Sequence, residues 1–445
     1  VRRGRPINAD VPAADTPEQA AKPERESPPP EEKSPPPVRR EGIPGALKLV
    51  GGLALLGVVF LIVAIVGGSG GGDGDTAEAP APVVAPAAED GGGEAVAAEP
   101  TELGYPAFAT GNTTRVGGAD PAANAAGVAL AVFPSVTAAQ RPAAVTLVAE
   151  DDWAGGIAAS VLMAAPVRAP VLISAADGPP DATEEALAAL QPAGDKSTKG
   201  ATAFAIGDVA APSGKLTKVA TGSPAAEAAA IARLRERLSG SPPDHFVLAP
   251  EASPELAMPA AAWAARSGDP VLFSAAEKLP KATAGALERH PGVPVYVLGP
   301  SSAISSGVVR EIAAIAKQVK RVSGEDPVAN AIAFARYDDE DFGWSINDPG
   351  HGFVLTRTDA PLNAAAAAPL SASGTWGPLL LTDDAGTLPA ELRSYFLDVK
   401  PGYTKNPTRA FYNHVWVIGD QEAIDVNQQA EVNELAELTK IGSAP

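Results

Sequence analysis

Three cations recur at one position of a phrase that the chain says three times. Arg115, Lys218 and Arg321 stand in Thr114-Arg-Val-Gly-Gly-Ala-Asp-Pro121, Thr217-Lys-Val-Ala-Thr-Gly-Ser-Pro224 and Lys320-Arg-Val-Ser-Gly-Glu-Asp-Pro327. The prolines lie 103 residues apart in both intervals (224 − 121 and 327 − 224). A cation repeated in every copy offers a ligand a local basic patch in an acidic chain. Catalytic chemistry has far less support. The four histidines, His245, His290, His351 and His414, form no pair at metal-ligand spacing. There is no Gly-x-Ser-x-Gly elbow, Ser-x-x-Lys pair or phosphate-binding Gly-rich loop before a helix. The acidic run Asp338, Asp339, Glu340 and Asp341 lacks the spacing of a calcium loop and is expected to be a solvated loop. Neither an enzyme nor a cofactor or metal site is expected.

The elements that must carry these residues recur as well. Asp120-Pro121, Ser223-Pro224 and Asp326-Pro327 read as helix starts, a capping side chain with proline in the first turn. They open the Ala-rich runs Ala122–Val132, Ala225–Leu238 and Val328–Tyr337. Each run leads to a short apolar segment, Val145–Val148, Phe246–Leu248 or Phe353–Leu355, expected as a buried strand. A helical stretch follows (157–165, 256–265 and 362–370), then a second strand headed by proline: Pro170–Ser174, Pro270–Ser274 and Pro378–Thr382. Third helices begin near Pro180, Leu279 and Leu388, and third strands end in Gly207, Gly299 and Gly419. Strand, helix, strand, helix, strand with short links predicts crossover connections and a parallel sheet covered on both faces. Each copy is therefore expected to be a small three-layer α/β module, with boundaries at 105–213, 214–316 and 317–445. The period is too long for a solenoid repeat and suits a small domain in tandem. The closing glycines mark the carboxyl edge, where such sheets usually place ligands.

Composition narrows the partners. The 45% apolar content is inflated by alanine, which predicts closely packed helices and few large anchors. With no cysteine, disulfides and thiol chemistry are excluded. The net charge of −19 falls almost wholly after residue 48, which argues against nucleic acid as a partner. Residues 1–45, rich in Pro, Glu and Arg, read as a disordered tail. Leu49–Val66 is an uninterrupted apolar and glycine stretch, about 27 Å long as a helix, so 46–67 is expected to cross a membrane. Arg39, Arg40 and Lys48 precede it and no Lys or Arg follows until Arg115, which puts the N-terminus in the cytoplasm and the modules outside. Residues 68–104, Gly, Ala and Pro with acidic residues, read as a linker.

Aligned, the three copies resemble the cell-wall-binding repeat 2 family of Gram-positive surface proteins. The resemblance lies in the opening Arg-Val-x-Gly-x-Asp, the Pro-Val/Leu-Leu-x-Ser/Thr strand and the strand ending Ile/Leu-Gly, and covers roughly 105–445. It departs where Asp-Pro replaces the family's Asp-Arg, and the family's Asp-Ala survives only as Asp359-Ala360. The resemblance implies three Rossmann- or Toprim-like modules around a pseudo-threefold axis, holding the protein non-covalently on an anionic wall polymer. The family's polymer-binding element corresponds to Val171, Leu172 and Ile173, to Val271, Leu272 and Phe273, and to Leu379, Leu380 and Leu381, and its opening arginine to Arg115, Lys218 and Arg321. The expected function is thus a membrane-anchored, extracytoplasmic wall-binding protein, with an envelope protein-interaction scaffold as the alternative. An acidic ectodomain repels an anionic polymer beyond the Debye length. Such binding therefore calls for the local cations, bridging divalent ions, or a neutral or zwitterionic ligand.

Overall fold

A computed structural model describes residues 108–442 apart from 211, 213, 220, 221, 374 and 375. The tail, membrane helix and linker expected over 1–45, 46–67 and 68–104 lie outside the described residues. Among the described residues no helix is long and apolar enough to cross a membrane.

The first copy runs β1 (Phe108–Ala109), β2 (Thr113–Val116), α1 (Pro121–Val132), β3 (Val145–Ala149), α2 (Trp153–Ala159) continued by a 3-10 turn (Ser160–Met163), β4 (Val171–Ser174), α3 (Asp181–Leu190) and β5 (Ala203–Ile206). The second runs β6 (Leu216–Lys218), α4 (Pro224–Ser239), β7 (Phe246–Pro250), α5 (Pro254–Ala257), α6 (Pro259–Ser267), β8 (Val271–Ser274), α7 (Lys281–Glu288), β9 (Val295–Leu298) and α8 (Ser306–Ala313). The third runs β10 (Val319–Val322), α9 (Pro327–Arg336), β11 (Gly352–Arg357), α10 (Pro361–Ala372), β12 (Leu379–Thr382), α11 (Ala390–Asp398), β13 (Gly402–Tyr403), β14 (His414–Ile418), α12 (Val426–Ala436) and β15 (Thr439–Lys440). The helix starts form as the residue types dictate. Asp120 accepts from the Ala123 amide at 2.8 Å, Asp326 from Ala329 at 2.8 Å and Ser223 from Ala226 at 3.4 Å.

The repeated phrase is itself a strand, and it does not join the sheet of the helix that follows it. The three main sheets are ordered β4-β3-β5-β6, β8-β7-β9-β10 and β12-β11-β14-β2-β1, beside a two-stranded β13-β15 pair. Pairing within them is parallel except for β1 on β2. β6 completes the first sheet and β10 the second, while β2 closes the third. The register sets Lys218 beside Ala205, Arg321 beside Val297 and Arg115 beside Val417. The helix after each phrase packs on the outer strand of its own copy: α1 on β4, α4 on β8 and α9 on β12. Every phrase therefore crosses a seam, a strand in one sheet and a helix on the next. Because β2 pairs with β14, the three modules are joined in a cycle. By pairing, β6 and β10 go with the modules that precede them, although the sequence period places them after 214 and 317.

The second helices of the three copies, α2 with its 3-10 turn, α6 and α10, pack against one another. These are the alanine-rich stretches. Ala154, Ala158 and Ala159, then Ala260–Ala262, Ala264 and Ala265, then Ala364–Ala368 are each no more than 3% exposed. A Cβ on Gly156 would stand only 3.2 Å from the Cβ of Ala365. Small side chains let the helices approach this closely while the interior stays close-packed. The larger anchors, Phe204, Phe246, Phe273 and Phe353, sit on the sheets. The alanine content thus reflects a shared helical centre, and one hydrophobic core runs through all three copies.

Candidate functional site

The cations of the repeated phrase end in three different environments. Arg115, 1% exposed, lies along β2 and turns its guanidinium onto the loop after β14. Its Nη1 donates to the carbonyls of Gly419 at 2.8 Å and Asp420 at 2.6 Å, its Nη2 to that of Ile424 at 2.6 Å, and its Nε to Gln429 Oε1 at 3.0 Å. Burial pulls its pKa down to about 10, against the opposing pull of Asp420 and Asp425, so it stays charged at neutral pH. Arg321 repeats the arrangement on the second sheet with fewer partners. It donates to the carbonyls of Gly299 at 2.6 Å and Ile304 at 2.7 Å, and burial lowers its pKa also. Lys218 is exposed at the end of β6. The two arginines thus tie down the loop after the glycine-ended third strand of the module whose sheet they join. The three cations do not converge on one surface.

The strand residues expected to touch a polymer are enclosed. Val171, Leu172, Ile173, Val271, Leu272, Phe273, Leu379, Leu380 and Leu381 are all 2% exposed or less. β4, β8 and β12 are outer strands of their sheets, yet α1, α4 and α9 cover them. As the chain is folded here, these side chains present no face to solvent.

The seams carry a second recurring position, three residues beyond each phrase's proline: Asn124, Glu227 and Asn330. All three are buried. Asn124 Oδ1 accepts from the Gly118 amide at 2.9 Å, its Nδ2 donates to Asn363 Oδ1 at 3.0 Å, and Asn363 Nδ2 donates to Thr356 Oγ1 at 3.3 Å. Asn330 accepts from the Gly324 amide at 3.4 Å and donates to the Leu256 carbonyl at 3.2 Å. Each asparagine accepts from an amide of its own phrase and donates a neutral N–H across its seam. Glu227 breaks the pattern. Its Oε1 accepts from the Gly207 amide at 3.1 Å, and Asp152 is its hydrogen-bond and charge neighbour. Burial first, then Asp152, push its pKa up to about 8. Asp152 is meanwhile the cap of α2, accepting from the Gly155 amide at 2.8 Å. Sequence reasoning missed Glu227, although setting the three prolines in register reads Asn, Glu, Asn at this position.

A cavity of about 410 Å³ opens where the second and third modules meet. Glu255, Asp326, Asp359, Asp383 and Glu391 line it, and among the described residues no basic side chain does. The acidic run of the third copy is not the freely solvated loop its charge suggests. Asp338, Glu340 and Asp341 face solvent, but Phe342 is 1% exposed and stacks on Tyr296 of β9 at 3.5 Å between ring centroids. Trp263, Phe334, Tyr337 and His245 also pack around it. Lys320 Nζ reaches both oxygens of Asp339, and the Tyr296 hydroxyl donates to it at 2.7 Å. An apolar anchor set among the charges turns the run into a strap across the seam. The histidines lie apart, beside Asp269, Glu236, Asp348 and Thr114 respectively. Among the described residues no three His, Asp or Glu gather as metal ligands would. Exposed aromatic side chains mark the amino edge of the third sheet. Trp376 precedes β12, and Phe411 and Tyr412 precede β14. Arg266 of the second module stacks over Trp376 at 4.9 Å.

No protein-family model matches the chain, and no curated protein matches it. Solved structures do. Cwp6 from Clostridium difficile aligns with a TM-score of 0.58 at 19% identity, over 73% of this chain and 48% of that one. Cwp8 from Clostridium difficile aligns with a TM-score of 0.55 at 18% identity, over 73% of this chain and 52% of that one. The fold is shared, and the chain spans about half the length of these two proteins.

Proposed function

We propose that this chain is a wall-associated surface protein whose three-module cycle attaches it non-covalently to a cell-wall polymer. The observation that carries this reading is the fold shared with Cwp6 and Cwp8, cell wall proteins of Clostridium difficile. The family resemblance of the three sequence copies supports it independently. In this reading residues 46–67 anchor the chain in the membrane and the modules work outside it, in attachment and not catalysis. The seam arginines and enclosed strands build the body, and contact with the polymer falls to outward-facing residues. Trp376, Phe411 and Tyr412 offer exposed rings on which sugar rings can stack. An anionic polymer would avoid the acidic cavity or enter it with a cation, so a neutral or zwitterionic glycan, or cation bridging, fits the electrostatics better.

A pull-down of the 105–445 chain on purified cell walls tests the reading, since that fragment keeps every strand of the cycle. Binding that survives protease treatment of the walls supports a polymer ligand. Binding lost on protease treatment supports the alternative, an envelope protein partner. No binding, with or without calcium, overturns both.

A further inference from the structure

The Asn, Glu, Asn series singles out one seam. Glu227 stands in the first turn of α4 and is 4% exposed. It reaches from the second module to the Gly207 amide at the carboxyl edge of the first sheet and to Asp152 at the start of α2. There is little room for rearrangement. Gly207 has φ +76°, and a Cβ there would lie 2.7 Å from the Ala149 Cβ and 3.2 Å from Asp152 Oδ2. Two carboxyl groups in this setting cannot both be charged without strong repulsion. We propose that the seam between the first and second modules is a proton-controlled lock, closed when neutral Glu227 donates its carboxyl proton to Asp152 and loosened when that proton leaves.

The surroundings leave the pair to set its own protonation. β8, α2 and the 3-10 turn that continues it, all packed on α4, present no titratable side chain within their own spans. α7 brings Lys281 and Glu288, both exposed. Beyond α7, Arg289 acts on Arg233 and Glu236, and His290 meets Glu236, all past the first turn of α4. Asp208, next to Gly207, is exposed. Among the described residues no cation acts on Glu227, and Asp152 is the charged group that does. The sign follows from proton linkage. Glu227 binds its proton more tightly in the closed seam than in an open one. The stabilisation is therefore complete below the ordinary glutamate range and is lost as pH rises through the shifted value of about 8. The other two seams carry the neutral amides of Asn124 and Asn330 in place of this carboxyl. The inference concerns the folded body and stands whether or not the ligand is a wall polymer.

Hydrogen exchange of the full chain followed by mass spectrometry reads each seam separately. After correction for intrinsic exchange, protection of peptides covering 224–230 and 153–159 is expected to fall about tenfold per pH unit between about pH 6 and pH 8. Peptides covering 121–127 and 327–333 are expected to change much less. Glu227→Gln keeps the acceptor for Gly207 and a neutral donor for Asp152, so its protection should be flat over the same range. Asp152→Asn retains a capping side chain and removes the repelling charge, so it should weaken the slope. A flat wild-type profile, a slope that survives in Glu227→Gln, or one undiminished in Asp152→Asn, overturns the proposal.

Discussion

Replacing Arg115 with methionine keeps an unbranched side chain along β2 but removes every donor. The carbonyls of Gly419, Asp420 and Ile424 and the Gln429 amide oxygen then lose their partner at a buried site. A buried polar group left unpaired costs about 1–3 kcal/mol. The relief of desolvating one guanidinium offsets part of that sum, so a net loss of about 3–5 kcal/mol is expected, the range for breaking buried charged networks. Arg321→Met removes donors from two carbonyls at a half-buried site and should cost about 1–2 kcal/mol. Lys218→Met, on an exposed side chain, should stay within about 0.5 kcal/mol. Denaturant unfolding of the three variants, read by circular dichroism, gives the ranking. Three cations that served only a ligand would give three small and similar losses of stability. Arg115→Met costing no more than Lys218→Met would refute the assignment of Arg115 as a seam clamp.

Phe342→Ala should destabilise the body by about 3–5 kcal/mol, as truncation of a fully buried phenylalanine does. Thermal unfolding checks this, and a loss below about 0.5 kcal/mol would mean the strap is not anchored. In a wall-binding assay, the double substitution Phe411→Ala and Tyr412→Ala should lower retention with little change in melting temperature, because both rings are exposed. Unchanged retention would remove this edge from the proposed contact surface.

The local devices were legible in the sequence. An Asp or Ser followed by Pro marked each helix start, and the three apolar segments of each copy became strands in the expected order, with Gly207, Gly299 and Gly419 closing the third of each. Pairing between distant segments was not legible. A run such as Thr-Arg-Val carries no mark of its partner, so the phrase showed its helix start but not the strand that crosses to the preceding sheet. Arg115 read as a surface cation because its enclosure depends on carbonyls some 300 residues away. The Val-Leu-Ile type strands read as core from their pattern and as ligand edge from the family resemblance, since the pattern cannot say what covers an outer strand. Phe342 was overlooked because four neighbouring carboxylates dominated the reading of its segment. Glu227 emerges only when the copies are laid side by side and one seam is seen to carry an acid where the others carry an amide.

The central structural claim is that the chain closes on itself, β2 from before the first module completing the third sheet. Thr110 Oγ1 donates to Asn433 Oδ1 at 2.6 Å, so the two side chains touch across that closure. With no native cysteine in the chain, Thr110→Cys combined with Asn433→Cys provides the sole thiol pair. A short bifunctional thiol reagent applied to dilute folded protein should link the two positions within one chain, and denaturant should abolish the link. Linkage found only between chains, or absent from the folded protein, would contradict the cycle on which the account rests.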